Sequence, residues 1–570
     1  MRQLYLVFLL LVANQLFAQK SGLICFPPLD IPLQLAGSFS ELRANHFHSG
    51  IDIRTKGEEN LPVYAADDGY VERIKISGTG YGKAIYIAHK SGYTTVYAHL
   101  NGFVPEIETA LIKEHYKRKT FELDWYPEKE SIRISRGQVI GFSGNTGGSS
   151  GPHLHFEVRN SATEVALNPL NYGIVISDSL PPLFTGICIM ELDRGAPSSM
   201  PGTFLPKIVP VQGATVKDTL YVLENQFRVA VAIDDPFGSG SKSCGVDELV
   251  MSLDGQVQYH MKMDEVNFST SKAINGFQPF GVNKMNKGQW YGCYRPRNMP
   301  LQTVSSKKSG IMVIQDTLVH EIIFSAKDWQ GNTTELKVFV RKKGKLNQSI
   351  ATSSRVGNLF ESGKSHVISW KGGELILAET ALYDDAYIAS PKGGFTQTSG
   401  GRTCYQVCTV GHSLITLYKG AELVLDCSEL SESQRSKALI VRESGDSWVS
   451  EGGSLEGTKL KTAITTLGKF AIAVDTEKPA IEVEKWTYKK EANEFFIVLK
   501  VSDDLSGIAS FYPEFKGEWV YFETDKKSNT FRCRIPSLSA GEYPFKLIVK
   551  DKVGNKSVFE KTVRVIESNK

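Results

Sequence analysis

Between residues 62 and 158 apolar and polar positions alternate in short runs, GYVERIKIS, KAIYIAHKSGYTTVYAHL and HLHFEV, separated by the glycine-rich strings GTGYG and SGNTGGSSG. A period of two over such short runs marks strands with one buried face, and the glycines supply the turns. The stretch therefore predicts a compact, mostly antiparallel β domain. One run breaks the pattern. Residues 105–119, PEIETALIKEHYKRK, start with Pro105, carry Glu106 and Glu108 in the first turn and end in Lys and Arg, which is helix start-and-stop chemistry.

Beyond residue 175 three landmarks recur in the same order. DSLPPLF (178–184) matches DTEKPAI (475–481), IDDPFGSG (233–240) matches SDDLSGI (502–508), and AKDWQGN (326–332) matches VKDKVGN (549–555). Each last landmark is followed by an alternating run, LKVFV or KTVRV, so both copies predict β-sandwich modules that end on an edge strand. The fold class expected is mainly β: a small antiparallel β domain at 19–175 with an insertion at about 103–135, an immunoglobulin-like β-sandwich with insertions at 176–345, a β-rich module of unclear type at 346–474, and a second immunoglobulin-like β-sandwich at 475–570. No Cys...Trp...Cys signature supports the immunoglobulin likeness.

At 570 residues the chain is long enough for several cores, so one site need not explain all of it. Its net charge of +3 gives no strongly basic surface and no reason to expect a nucleic-acid partner. The start, Met1-Arg2-Gln3, an apolar run over 4–13 and Ala18 before Gln19, reads as a secretory signal peptide over 1–18. Its apolar run is too short to span a bilayer. The mature chain is then expected to be soluble, without a transmembrane anchor, in the periplasm or outside the cell. Eight cysteines (25, 188, 244, 293, 404, 408, 427 and 533) form no CxxC pair, which argues against a thiolate zinc site. Pairing among Cys404, Cys408 and Cys427 and buried free thiols both remain open at this point.

Seven of the 11 histidines fall between residues 46 and 155, and such clustering invites a metal. The strings are NHFHSGIDI (45–53), VYAHL (96–100) and GPHLHFEV (151–158). In a strand, residues two apart share a face, so His153 and His155 project together, as do His48, Gly50 and Asp52, with Gly50 leaving room for a bulky ion. Residues 48 and 52 would also meet across one helical turn, but the glycine and the Ile51/Ile53 alternation favour an extended segment. Two imidazoles and a carboxylate suit zinc, which in catalytic sites takes three protein ligands. Two more histidines of the strings, His99 and His153, are of the type a hydrolase needs to accept a proton or hydrogen-bond a developing oxyanion.

These strings, in this order over about residues 40–160, resemble the lysostaphin and LytM group of zinc endopeptidases, peptidase family M23. The resemblance implies a small antiparallel β LytM-type fold, Zn2+ held by His48, Asp52 and His155, and His99 and His153 as the catalytic pair. It implies cleavage of peptide bonds in the stems or cross-links of bacterial peptidoglycan. The link between Leu100 and Arg136, with its helix and the aromatic stretch FELDWYP, is longer than family members usually have, which leaves substrate choice open.

His115, His260, His320, His366 and His412 read as structural, and His46 and His89 as structural or supporting. GNTGGSSG lacks the Lys-Ser or Lys-Thr of a phosphate-binding loop and reads as turns. The Asp-Asp pairs at 234–235 and 503–504 lack the spaced oxygens of an EF-hand. Two other function classes were weighed: a non-enzymatic regulator of wall hydrolases, disfavoured by the five intact motif residues, and an adhesin or scaffold carried by the C-terminal modules. With all five motif residues before position 156, the front domain is expected to form its metal site without the region after about residue 180.

Overall fold

The computed structural model describes residues 22–565 apart from 194–195, 198–206, 212, 217, 238–242, 279–281, 283–287, 344–356, 400–401, 414 and 490. The leader read at 1–18 lies outside the described residues. The molecule is mostly β, and its residues cluster into two units, one of 1–36, 49–176 and 476–570 and the other of 37–48 and 177–475.

In the first unit the principal sheet runs, in spatial order, Ile51–Arg54, His153–Asn160, Tyr93–Leu100, Lys83–His89, Gly69–Ile76 and Leu123–Trp125, and these pairs are antiparallel. The alternation read from the sequence sets its faces. Ile51, Ile53, Leu154, Phe156, Val158 and Tyr97 are fully buried on one side, where the Tyr97 and Phe156 rings lie 5.3 Å apart. His153, His155, Glu157 and Arg159 turn to the other.

The insertion has a definite structure. Its helix spans Pro105–Arg118, with Pro105 in the first turn and Lys119 closing it in the left-handed region at φ 48°. Leu123–Trp125 then adds an edge strand beside Gly69–Ile76. The C-terminal module of the same unit is a sandwich of two four-stranded sheets, Ala480–Lys489, Glu494–Ser502, Thr530–Pro536 and Glu523–Asp525 against Glu518–Trp519, Ile508–Phe515, Gly541–Asp551 and Lys556–Val565. Phe495, Ile497, Leu499, Phe522, Phe545, Leu547 and Val549 fill its core. The insertion packs on this module. Phe121 lies against the core, with its ring 5.2 Å from Trp519 and 5.5 Å from Phe511, Tyr116 meets Trp519 at 5.4 Å and His115 meets Tyr521 at 4.4 Å. The front domain thus shares apolar surface with residues nearly 400 positions away in sequence, a contact that no local pattern announces.

In the second unit, Leu220–Val222, Thr333–Lys342, Val319–Lys327, Glu248–Leu253, Gln256–Lys262 and Val304–Ser306 form one sheet in that order. A further pair of five-stranded sheets lies within 366–474 and shares a core of Leu375, Leu423, Leu425, Ile440, Phe470 and Ile472.

The repeated landmarks converge in space. Asp178, Asp235 and Asp328 bring one carboxylate oxygen each within 4.8 Å of one another, and so do Asp475, Asp503 and Asp551. Of the Asp-Asp pairs singled out in sequence, one member each enters a trio. Asp328 accepts from the backbone N–H of Gln330 and Asn332, and Asp551 from those of Val553 and Asn555, so the KDxxGN strings are carboxylate-closed turns. All eight cysteines are buried and none is paired in a disulfide, and burial pushes the Cys25 thiol up to about 12, with Asp67 adding to the rise, which leaves it inert.

Candidate metal centre

The register of the sheet builds the site. His155 pairs directly with Asp52 across the ladder and His153 with Arg54, so the faces of HxH and of Ile51–Arg54 coincide. His48 ends the hairpin of Leu42–Arg43 and His46–Phe47, where its N–H donates to the Glu41 carbonyl at 3.0 Å. One ligand atom each from His48, Asp52 and His155 lies within 4.8 Å of the others, and all three residues are buried.

Alternation alone would place His99 on the wrong side. His155 sits opposite Ala98 and Phe156 opposite Tyr97, so Ala98 shares the face of the histidines while Tyr97, and by parity His99, would face the core. A β-bulge corrects this: Ile85 pairs with Tyr97 but Lys83 with Leu100, leaving one extra residue in the strand. His99 takes φ 60° there, a left-handed conformation uncommon for a non-glycine residue. Its ring then stands 4.7 Å from that of His153 and 5.8 Å from that of His155.

Each imidazole has one nitrogen committed to a protein acceptor. His48 Nδ1 donates to the Ser38 carbonyl at 2.7 Å, His99 Nδ1 to Thr146 at 2.8 Å and His153 Nδ1 to Gly151 at 2.8 Å. A carbonyl only accepts, so in the neutral rings Nδ1 carries the proton and Nε2 keeps its lone pair. His153 Nε2 points toward Asp52 Oδ1, 3.4 Å away. His155 is held the other way round, with Nε2 2.8 Å from Glu157 Oε1 and Nδ1 2.9 Å from Asp52 Oδ1.

Burial lowers the pKa of His99 to about 3, and charge on His155 and His153 presses it the same way; the ring is neutral at any ordinary pH. Burial also pulls His155 down, but its hydrogen bonds to Asp52 and Glu157 outweigh that and raise it to about 9. Glu157 is fully buried. Burial alone would raise its pKa, yet Arg159 and His155 hold it well below the carboxylate range. It accepts from Arg159 Nε and Ser49 Oγ, both at 2.6 Å, and from Tyr81 Oη at 2.5 Å.

Glu157, Arg159, Ser49 and Tyr81 were not singled out from sequence, although Glu157 and Arg159 follow HxH with the same parity. Gly50 also has a different use from the one expected. A Cβ there would lie 2.4 Å from the Phe156 carbonyl, 2.8 Å from Glu157 Cγ and 3.1 Å from His155 Nε2, so the glycine makes room for the supporting carboxylate and not for an ion. Gly144 and Gly147 are likewise close-approach positions: a Cβ on Gly144 would meet the Asn101 nitrogen at 2.5 Å and one on Gly147 the Gly82 nitrogen at 2.3 Å. The other histidines lie elsewhere. His89 donates to the Asp68 carbonyl, and His260 and His320 pair with Glu248 and with Asp254 and Asp316.

The donor set fits a metal. Two imidazoles and one carboxylate converge, and Glu157 behind His155 is the carboxylate–histidine arrangement that orients ligating rings. Fold and site together define a small antiparallel β domain built around a His-Asp-His cluster that could hold a metal. The profile of peptidase family M23 matches residues 46–110 and 118–169, within the front domain, and the match breaks inside the inserted helix. A Zu5-like domain profile matches residues 357–475, the β-rich segment that sequence left unclassified. The chain is 33% identical over 127 residues to the DD-carboxypeptidase/endopeptidase Mpg of Neisseria meningitidis serogroup B, covering 22% of this chain and 23% of that protein. It is 29% identical over 160 residues to the peptidoglycan DD-endopeptidase ShyA of Vibrio cholerae, covering 27% and 31%. Among solved structures, a zinc containing peptidase from Vibrio cholerae is 25% identical with a TM-score of 0.20, covering 27% of this chain and 41% of that one. The similarity thus spans about a quarter of the length of these curated relatives.

Proposed function

We propose that the protein is an exported zinc metalloendopeptidase that hydrolyses peptide bonds in the stems or cross-links of bacterial peptidoglycan. The observation that carries this reading is the convergence of His48, Asp52 and His155 with two further imidazoles whose Nε2 atoms are left as lone pairs. Metal–ligand bonds of about 2.0–2.2 Å let one zinc reach three atoms so placed. His48 would bind through Nε2 and His155 through Nδ1, since their other nitrogens are engaged by Ser38 and Glu157. Bound zinc supplies Lewis-acid chemistry, polarising the scissile carbonyl and making water a nucleophile near neutral pH.

The chain's own residues do the rest. His99 is neutral and carries its lone pair on Nε2, so it accepts a hydrogen bond there, and the carbonyl of Thr146 fixes its ring. His153 offers Nε2 beside Asp52, placed to take a proton or, once protonated, to give one to the leaving amine. Glu157 keeps His155 facing the metal. Export follows from the leader read at 1–18, and among the described residues no helix is long and apolar enough to cross a membrane. Digestion of purified peptidoglycan by the mature chain, with released fragments identified by mass, tests the assignment; intact sacculi alongside a zinc-loaded protein would refute it.

A further inference from the structure

The inserted helix and strand carry the C-terminal sandwich against the peptidase fold, and one turn of that sandwich reaches further. Between Glu523–Asp525 and Thr530–Pro536 the chain reverses through Lys526 and Lys527. The two lysines diverge. Lys526 extends across Gly78, whose missing Cβ would lie 2.5 Å from Lys526 Cγ, to pair with Glu122 of the insertion at 2.5 Å. Lys527 instead enters the loop 144–151: its ammonium donates to the carbonyl of Asn145, to Asn145 Oδ1 at 3.3 Å and to the carbonyl of Ser149 at 3.1 Å.

Those two carbonyls bracket the atoms that orient the histidines. Thr146, next to Asn145, supplies the carbonyl that fixes His99, and Ser149 places its Oγ 3.1 Å from His153 Nδ1. Beside this loop the turn walls a cavity of about 350 Å³ with Lys83, Asn101 and Thr146. On that side Lys527 thus reaches the loop across the cavity, adding to the hydrogen bonds that tie Thr146 to Leu100 and Lys83 and Gly148 to Gly80.

We propose that Lys527 is a positioning residue of the peptidase: through it the C-terminal module clasps the loop that orients His99 and His153, so the module is part of the catalytic unit. This rests on the peptidase reading above. A lysine is suited to the task because one ammonium donates to several acceptors at once, and small misplacements of catalytic groups cost rate steeply.

The test uses the full, zinc-loaded chain with a soluble cross-linked peptidoglycan peptide, and compares Lys527→Met, Lys527→Arg and Lys526→Met. Lys527→Met is expected to lower kcat by about ten-fold or more, with KM and zinc content near those of the parent. Lys527→Arg should restore most of the rate, and Lys526→Met, on the same turn but facing Glu122, should leave it near the parent's. Hydrogen exchange gives a second reading: amides of 144–151 should exchange faster in Lys527→Met alone. Unchanged kcat and exchange in Lys527→Met, or equal losses in both Met variants, would overturn the clasp. If the parent chain cleaves no peptide, the peptidase reading fails and exchange alone decides the clasp.

Discussion

The molecule gathers buried titratable side chains in two ways. In the front domain four imidazoles gather about a carboxylate, each tied by a nitrogen to a carbonyl or carboxylate, and the charge on His155 and His153 helps keep His99, whose ring is 4.7 Å from that of His153, neutral. In the sandwich modules three carboxylates meet instead, and burial, then Asp328 and Asp178, raises the pKa of Asp235 to about 8. Imidazoles oriented by fixed acceptors allow a cluster to be poised for an ion; like-charged acceptors make a cluster whose stability follows pH. Proximity is the same in both, and chemistry differs because of what stands behind each side chain.

The sharpest way to break the first half of the comparison is to separate ligands from catalysts. If His48, Asp52 and His155 hold the ion, Ala at any one of them leaves two protein ligands, and zinc and activity are expected to vanish together. Ala at His99 or His153 should leave zinc near stoichiometric while turnover falls by roughly 10²- to 10⁴-fold. Elemental analysis beside rate for all five variants checks this. A His153 variant without zinc, or a His155 variant that keeps it, would exchange the roles within HxH.

A smaller effect tests the support behind the rings. Glu157→Gln removes the charge that orients His155 and neutralises Arg159, and zinc affinity should drop by about 10- to 100-fold, with activity recovering in excess zinc. An unaltered affinity in competition titrations would show that Asp52 alone orients the ring. The same variant should lose stability, by up to about 3–5 kcal/mol, since the buried Arg159 then keeps only its longer ion pair with Glu164, at 3.4 Å, which denaturation curves would read.

Much of this centre was legible in the sequence because period-two parity holds along Ile51–Arg54 and His153–Asn160. Parity failed at His99, where the strand adds a residue and turns to φ 60°; only matching across both strands reveals it. Glu157 was open to the same parity argument that found His153 and His155. The helix expected at 105–119 is Pro105–Arg118, since Pro105 and the charged ends are local signals. What it packs on was not legible, because Phe121 against Trp519 is a contact between distant segments. The repeat landmarks were visible as words, but their convergence on one carboxylate each is a property of the sandwich fold.

The mildest test concerns the carboxylate trio. A carboxyl whose pKa is raised on folding binds its proton more tightly in the native state, so stability declines as pH rises from the unfolded carboxylate range near 4 toward the folded value, and levels off above it. For Asp235 that window runs from about 4 to about 8. Asp235→Asn keeps the shape and removes the charge, so it should match the parent near pH 4 and exceed it increasingly as pH rises to 8. Denaturant titrations between pH 5 and 9 in metal-free buffer measure the difference. Parallel curves for parent and variant would show that Asp235 enters the folded state already charged, and that the two kinds of cluster respond to protons alike.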